Sequence, residues 1–176
     1  MAEDRGNGSS GWHGRGADAV IERATANDLM QLATDVGPVP MQVGAVLVFD
    51  AHPGVDPEVA ASVLSERILG VPRLRQRFVR TGFGCGRPVW VDDETFSVAS
   101  HVHVRPCPVP GDEAALLACA TEILGVRLGF DRPPWDATIL TGLADGSWAL
   151  IVVFHHVLAD GIGGLAVLAS LVDGMV

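Results

Sequence analysis

The sequence predicts a two-layer α/β (α+β) domain in which a mixed sheet is flanked by helices. Three observations predict it. Apolar runs of strand length alternate with stretches of helical periodicity. Gly and Pro punctuate the boundaries between them. Of the 176 residues, 48% are apolar, which suffices for one domain with its own core.

Residues 1–16 are polar and rich in Gly and Ser, which predicts a disordered tail; 17–176 then form one lobe. A helix is predicted over Asn27–Thr34, with Asn27 or Asp28 near its N-cap, and Pro38 and Pro40 break the chain after it. Gln42–Phe49 carries apolar residues on both faces and predicts a buried strand. Asp56-Pro57-Glu58 supplies a cap, a proline at the first helical position and an acid in the first turn. Val59, Val63, Leu64, Ile68 and Leu69 continue that helix until Gly70 and Pro72 stop it.

Arg73–Arg80 alternates basic residues with Leu74, Gln76 and Phe78, which predicts a strand with one wet face. The turn cluster Gly82–Gly86 followed by Pro88–Val91 predicts a hairpin. It is not a phosphate loop, because no helix pattern and no Lys-Ser/Thr follow the glycines. Val98–Arg105 reads as a strand with His101, His103 and Arg105 on its polar face. Asp112–Leu124 is an amphipathic helix. Asp136–Leu143 and Trp148–Phe154 are strands joined by Ala144–Ser147, a hairpin loop with a glycine. A helix of small and aliphatic residues is predicted over Gly161–Val172. Trp90, Trp135 and Trp148 are expected in the core or the hairpins.

Charge narrows the partners. The net charge is −9 and all 12 basic residues are Arg. No basic face for nucleic acid is visible. An acidic surface also disfavours anionic lipid, so membrane contact is expected to be apolar. The longest apolar run, Trp148–Phe154, is far shorter than the roughly 20 residues of a membrane span. The N-terminus lacks the apolar segment of a secretory signal. Cys85, Cys107 and Cys119 follow no metal-like spacing and are expected as reduced thiols. A cytoplasmic location is expected, with peripheral contact at the inner face of a membrane.

The informative segment is His155-His156-Val157-Leu158-Ala159-Asp160-Gly161, where a buried strand ends and a turn opens a helix. An imidazole titrates near the working pH, so it can take a proton from a hydroxyl and return it to a leaving group. Such a base needs a partner that fixes its tautomer, and Asp160 stands four residues beyond His156. No Ser or Cys lies within the segment, which favours direct attack by a bound acceptor over a covalent acyl-enzyme. Spacing alone leaves three readings open: a catalytic base, a hydrogen-bonded core histidine, or a metal ligand shared with Asp160. Adjacent histidines after a strand point to opposite faces, which counts against the metal.

His155-His156-x-x-x-Asp160-Gly161 resembles the HHxxxDG signature of the chloramphenicol-acetyltransferase-like acyltransferases. Arg132-Pro133-Pro134-Trp135-Asp136 resembles the Arg-Pro-Leu-Trp-Glu stretch of one branch, the bacterial wax ester synthase / diacylglycerol acyltransferases. Pro134 stands where that family usually has Leu. Gly142-Leu143, Asp145-Gly146 and Trp148-Ala149-Leu150 resemble its hairpin. Gly86-Arg87-Pro88-Val89-Trp90-Val91-Asp92-Asp93, with Phe96 and His101-Val102, resembles its earlier strand region. Pro40-Met41-Gln42-Val43-Gly44 resembles its Pro-Met-His-Val-Gly segment.

The resemblance implies the N-terminal lobe of a two-lobed fold with the active-site tunnel between the lobes. It implies that His156 is the general base, that His155 supports the loop, that Asp160 orients it through an arginine, and that Gly161 permits the turn. The implied reaction transfers a fatty acyl group from acyl-CoA, a co-substrate rather than a resident cofactor, to diacylglycerol or a long-chain alcohol. Triacylglycerol or wax ester is the product, and no metal takes part. The C-terminal lobe is then an expected partner, in cis or in trans. Alone, this chain is expected to be inactive, because one tunnel wall is missing. The alternative is a non-catalytic lobe that binds acyl-CoA or a partner. A condensation domain acting on carrier-protein thioesters fits the Arg-Pro-x-Trp context less well.

Overall fold

The structure, a computed structural model, describes residues 22–53 and 56–158. The expected tail and the helix over 161–172 lie outside the described residues. In chain order the elements are β1 (Glu22–Arg23), α1 (Ala26–Thr34), β2 (Gln42–Phe49), α2 (Pro57–Leu69), β3 (Gln76–Val79), β4 (Val89–Asp92), β5 (Val102–Pro106), α3 (Glu113–Gly125), β6 (Trp135–Thr141) and β7 (Trp148–His155). They form a three-stranded sheet of order β1-β4-β3 and a four-stranded sheet of order β2-β7-β6-β5. The pair β5–β6 is parallel and the other pairs are antiparallel, so the larger sheet is mixed, as the sequence predicts.

The helices start where side chains satisfy their free N–H groups. Asp56 accepts from Glu58 N–H with Pro57 behind it, and Asp112 accepts from Ala115 N–H. Helix α1 is capped by Thr25, two or three residues earlier than expected. Thr25 Oγ1 accepts from Asp28 N–H while the Asp28 carboxylate accepts from Thr25 N–H, a reciprocal box that puts Asp28 inside the helix.

Every residue of β7 is buried, because the strand is central and covered on both faces. Leu150, Val152 and Phe154 share a core with Trp135 and Ile139 of β6, Leu64 and Ile68 of α2, and Phe78 and Trp90 of the small sheet. Ala149, Ile151 and Val153 pack with Leu140 against Leu116 and Cys119 of α3. Full burial of such a side chain contributes about 1.5–3 kcal/mol, so this strand anchors the fold.

Three expectations are corrected. Strand β2 is an edge strand with Val43, Val46 and Val48 41%, 41% and 55% exposed. An apolar run on both faces does not tell a central strand from an edge one. Only the second half of Arg73–Arg80 is strand; Pro72–Arg75 is a 3-10 turn in which Leu74 N–H donates to the Val71 carbonyl. Likewise Val98–Ser100 is a 3-10 turn and β5 starts only at Val102. His101 therefore leaves the polar face and is buried to 1% exposure, whereas His103 stays half exposed. The expected core tryptophans Trp90, Trp135 and Trp148 are all buried.

Candidate active site

The two histidines of the signature are held by two different neighbours. His155 ends β7, opposite Gln42 in the register. Its N–H donates to the Pro134 carbonyl at 2.9 Å, and the N–H of His156 donates to the Met41 carbonyl at 2.9 Å. The first of these bonds uses a backbone oxygen, so proline at position 134 keeps it. The chain then turns, with Leu158 N–H donating to the His155 carbonyl at 2.9 Å.

Both ring nitrogens of His155 are engaged. The Val157 N–H donates to Nδ1 at 3.1 Å, so the ring proton belongs on Nε2, which faces Asp35 Oδ2 at 3.3 Å. The ring is 1% exposed and packs against Phe130 with centroids 4.7 Å apart. Burial pushes this imidazole below its ordinary pKa despite the opposing pull of Asp35, which keeps it neutral. Burial alone would raise the Asp35 carboxyl. The Arg127 guanidinium, the Met41 N–H and His155 outweigh that effect and hold it below the ordinary value.

His156 differs. It is half-buried, and its buried Nδ1 has no hydrogen-bond partner among the described residues. No hydrogen bond within the described residues commits the ring of His156, the less buried of the two, whereas His155 has no nitrogen to spare for a substrate proton. The remaining expected site residues, Asp160 and Gly161, lie outside the described residues.

The stretch before β6 explains its own composition. Arg132 Nη2 donates to Asp136 Oδ2, four residues on, at 2.7 Å, and Arg132 Nη1 donates to the Ser100 carbonyl. Trp135 is 1% exposed and its indole N–H donates to the Leu74 carbonyl at 2.7 Å. These bonds fix the start of β6, and with it the Pro134 carbonyl that carries His155. Burial raises the Asp136 carboxyl above its ordinary value against the pull of Arg132.

Sequence reasoning missed Asp35 and Arg127. Asp35 ends α1, and Arg127 stands two residues past α3; nothing local in the sequence marks either. An apolar groove of about 420 Å³ between β2 and α3, lined by Val46, Val48, Leu116, Leu117 and Leu143, lies toward the far end of β2 from Gln42. It is therefore separate from the histidine pair.

A profile of the wax ester synthase/diacylglycerol acyltransferase catalytic domain matches residues 25–175. A putative diacylglycerol O-acyltransferase of Mycobacterium bovis is 36% identical over 135 residues, covering 77% of this chain and 29% of that protein. Another, from Mycobacterium tuberculosis, is 32% identical over 155 residues, covering 85% of this chain and 32% of that protein. The wax ester synthase/diacylglycerol acyltransferase of Marinobacter aquaeolei superposes with a TM-score of 0.69 at 25% identity, covering 82% of this chain and 37% of that one. A starter condensation domain of rhizomide synthetase, crystallised with C8-CoA, superposes with a TM-score of 0.67 at 18% identity, covering 86% and 34%; this likeness concerns the fold. This chain thus spans about a third of the length of these relatives. The chain belongs to the wax ester synthase/diacylglycerol acyltransferase family, within its catalytic domain.

Proposed function

We propose that this chain supplies the general base of an acyl-CoA-dependent O-acyltransferase, and that the base is His156. One observation carries the choice between the two histidines. Both nitrogens of His155 are bonded within the lobe and its ring is buried, while His156 is only half-buried and its ring makes no hydrogen bond among the described residues.

In this reading His156 removes the proton from the hydroxyl of diacylglycerol or a long-chain alcohol. The oxygen attacks the thioester carbonyl of acyl-CoA and forms the new C–O bond. The C–S bond breaks, the sulfur leaves as thiolate, and the imidazolium returns its proton to it. Triacylglycerol or wax ester and free CoA result. Family membership supports both acceptors, and a fold neighbour crystallised with C8-CoA supports the thioester donor. Asp160 would orient the turn and Gly161 would permit it. The rest of the catalytic domain would supply the opposite tunnel wall, which excludes water and makes the chain active.

A lipid-soluble acceptor places the enzyme at a lipid surface. We assign it to the cytoplasm with peripheral contact at the inner face of the membrane or a lipid droplet.

The test joins this segment to the C-terminal part of a relative, by fusion or in trans. Labelled acyl-CoA is offered with diacylglycerol or hexadecanol. His156→Ala is expected to lower turnover by about 100-fold or more. Equal turnover in parent and variant removes the proposed base.

A further inference from the structure

Asp35 is an acid in a place where local structure does not ask for one. It sits at the C-cap of α1, the negative end of the helix dipole, with no basic residue in the last turn. Its side chain is only 13% exposed. Two of the partners that account for it, Arg127 and His155, come from far along the chain. Oδ1 accepts from Arg127 Nη1 at 2.5 Å and from Met41 N–H at 3.1 Å, and Oδ2 faces Nε2 of His155 at 3.3 Å. Arg127 Nη2 also donates to the Gly37 carbonyl at 2.8 Å, which ties down the loop after Asp35.

This carboxylate reaches the histidine pair by two routes. Through its ring partner it fixes His155 as the Nε2–H tautomer, and that tautomer alone leaves Nδ1 free to accept the Val157 N–H. Through the Met41 N–H it anchors the residue whose carbonyl accepts the His156 N–H at 2.9 Å. The residues on both sides of His156 and its own backbone are therefore tied to one carboxylate.

We propose that Asp35, braced by Arg127, is a positioning residue: it sets the tautomer of His155 and the seat of the His156 backbone, and so aims the ring of His156. This rests on the reading of His156 as the base. Asp35 touches no substrate in this scheme. It acts as the orienting acid of a catalytic histidine does, one residue removed. Displacing a catalytic group by about 1 Å can cost about 100-fold in rate, so the turnover is sensitive to this seat.

The experiment has two arms. In the 176-residue chain labelled with 15N-histidine, long-range proton–nitrogen spectra report which nitrogen of His155 bears the proton. The parent is expected to show Nε2–H. In Asp35→Asn, which presents an amide to that nitrogen, and in Arg127→Gln, the Nε2–H signal is expected to weaken or give way to Nδ1–H. In the active fusion, Asp35→Asn is expected to lower kcat by about 10- to 100-fold with KM for acyl-CoA within about twofold. Asp35→Glu, which keeps the charge, is expected to recover part of the loss. If Asp35→Asn fails to fold, Arg127→Gln, at an exposed side chain, decides the matter by the same two readouts. An unchanged His155 tautomer, or an unchanged kcat in a folded variant, overturns the proposal. Full activity in His156→Ala overturns the underlying function instead, so the two failures are told apart.

Discussion

The imidazole of His101 lies flat on the indole of Trp135, with ring centroids 4.5 Å apart and planes at 18°. Its Nδ1 donates to the Trp135 carbonyl at 2.8 Å. One histidine thus reads both the side chain and the backbone of the residue that opens β6. Burial holds its pKa below the ordinary 6.5, ahead of the opposing effect of the Trp135 carbonyl. His155 is lowered from 6.5 by burial in the same way.

For both groups the unfolded chain binds its proton near pH 6.5 while the folded chain binds it only at lower pH. Acidification through that value therefore favours unfolding, and stability rises with pH across the window. The urea midpoint is expected to climb between about pH 5 and pH 7. A flat profile over this range contradicts it. NMR titration gives a direct check, since both rings are expected to stay neutral where a free histidine is half protonated.

A second prediction concerns two glycines with left-handed backbone. Gly111 has φ +75°, and a Cβ there would stand 2.6 Å from the Gly142 carbonyl oxygen. Gly37 has φ +95° and open space around it. Gly37→Ala is expected to cost about 1 kcal/mol from backbone strain alone. Gly111→Ala adds a backbone clash and is expected to cost about 3 kcal/mol or more. Denaturant midpoints of the two variants should separate clearly; similar values show that the β6–α3 junction yields easily.

Gln42 carries a third. Its amide nitrogen donates to the carbonyls of Leu124 and Val126 at 2.8 and 2.9 Å, and its oxygen accepts from Leu128 N–H at 2.6 Å. One side chain thus closes the end of α3 onto β2. The resembling family segment has histidine here, which offers one donor and one acceptor when neutral and satisfies at most two of the three groups. Gln42→His is expected to cost about 1 kcal/mol and Gln42→Leu about 2–3 kcal/mol in unfolding free energy. Equal stability of Gln42→Leu and parent shows that water replaces the amide.

The lipid-surface reading gives a fourth. Phe83 is fully exposed in the turn between β3 and β4, flanked by Arg80 and Arg87. Residues 71–91 carry five arginines and no acid, in a chain of net charge −9. Screening limits the repulsion of distant acids to about 10 Å at 0.1 M salt, so this hairpin meets an anionic surface on its own terms. Co-sedimentation with phosphatidylcholine/phosphatidylglycerol vesicles is expected to fall about tenfold in Phe83→Ser. Binding that ignores this change places the contact elsewhere.

Periodicity and capping made most elements legible in the sequence. Asp56-Pro57 and Asp112 start helices through bonds to their own neighbours, and β7 shows itself as a buried strand by an unbroken apolar run. The HHxxxDG signature was legible for the same reason, since its spacing is local. Three things were not. The Thr25 cap depends on a reciprocal bond with Asp28, and the turns before β3 and β5 interrupt alternations that look continuous in sequence.

By itself the sequence determined the order of elements, the family and the pair of histidines at the end of β7. Only the tertiary structure decided that β2 is an edge, that His101 is buried, and that His155 is the histidine with both nitrogens bonded. The reason is physical: local signals act over a few residues, whereas the bonds that distinguish His155 join it to Asp35, 120 positions away, and join Asp35 to Arg127, 92 positions away.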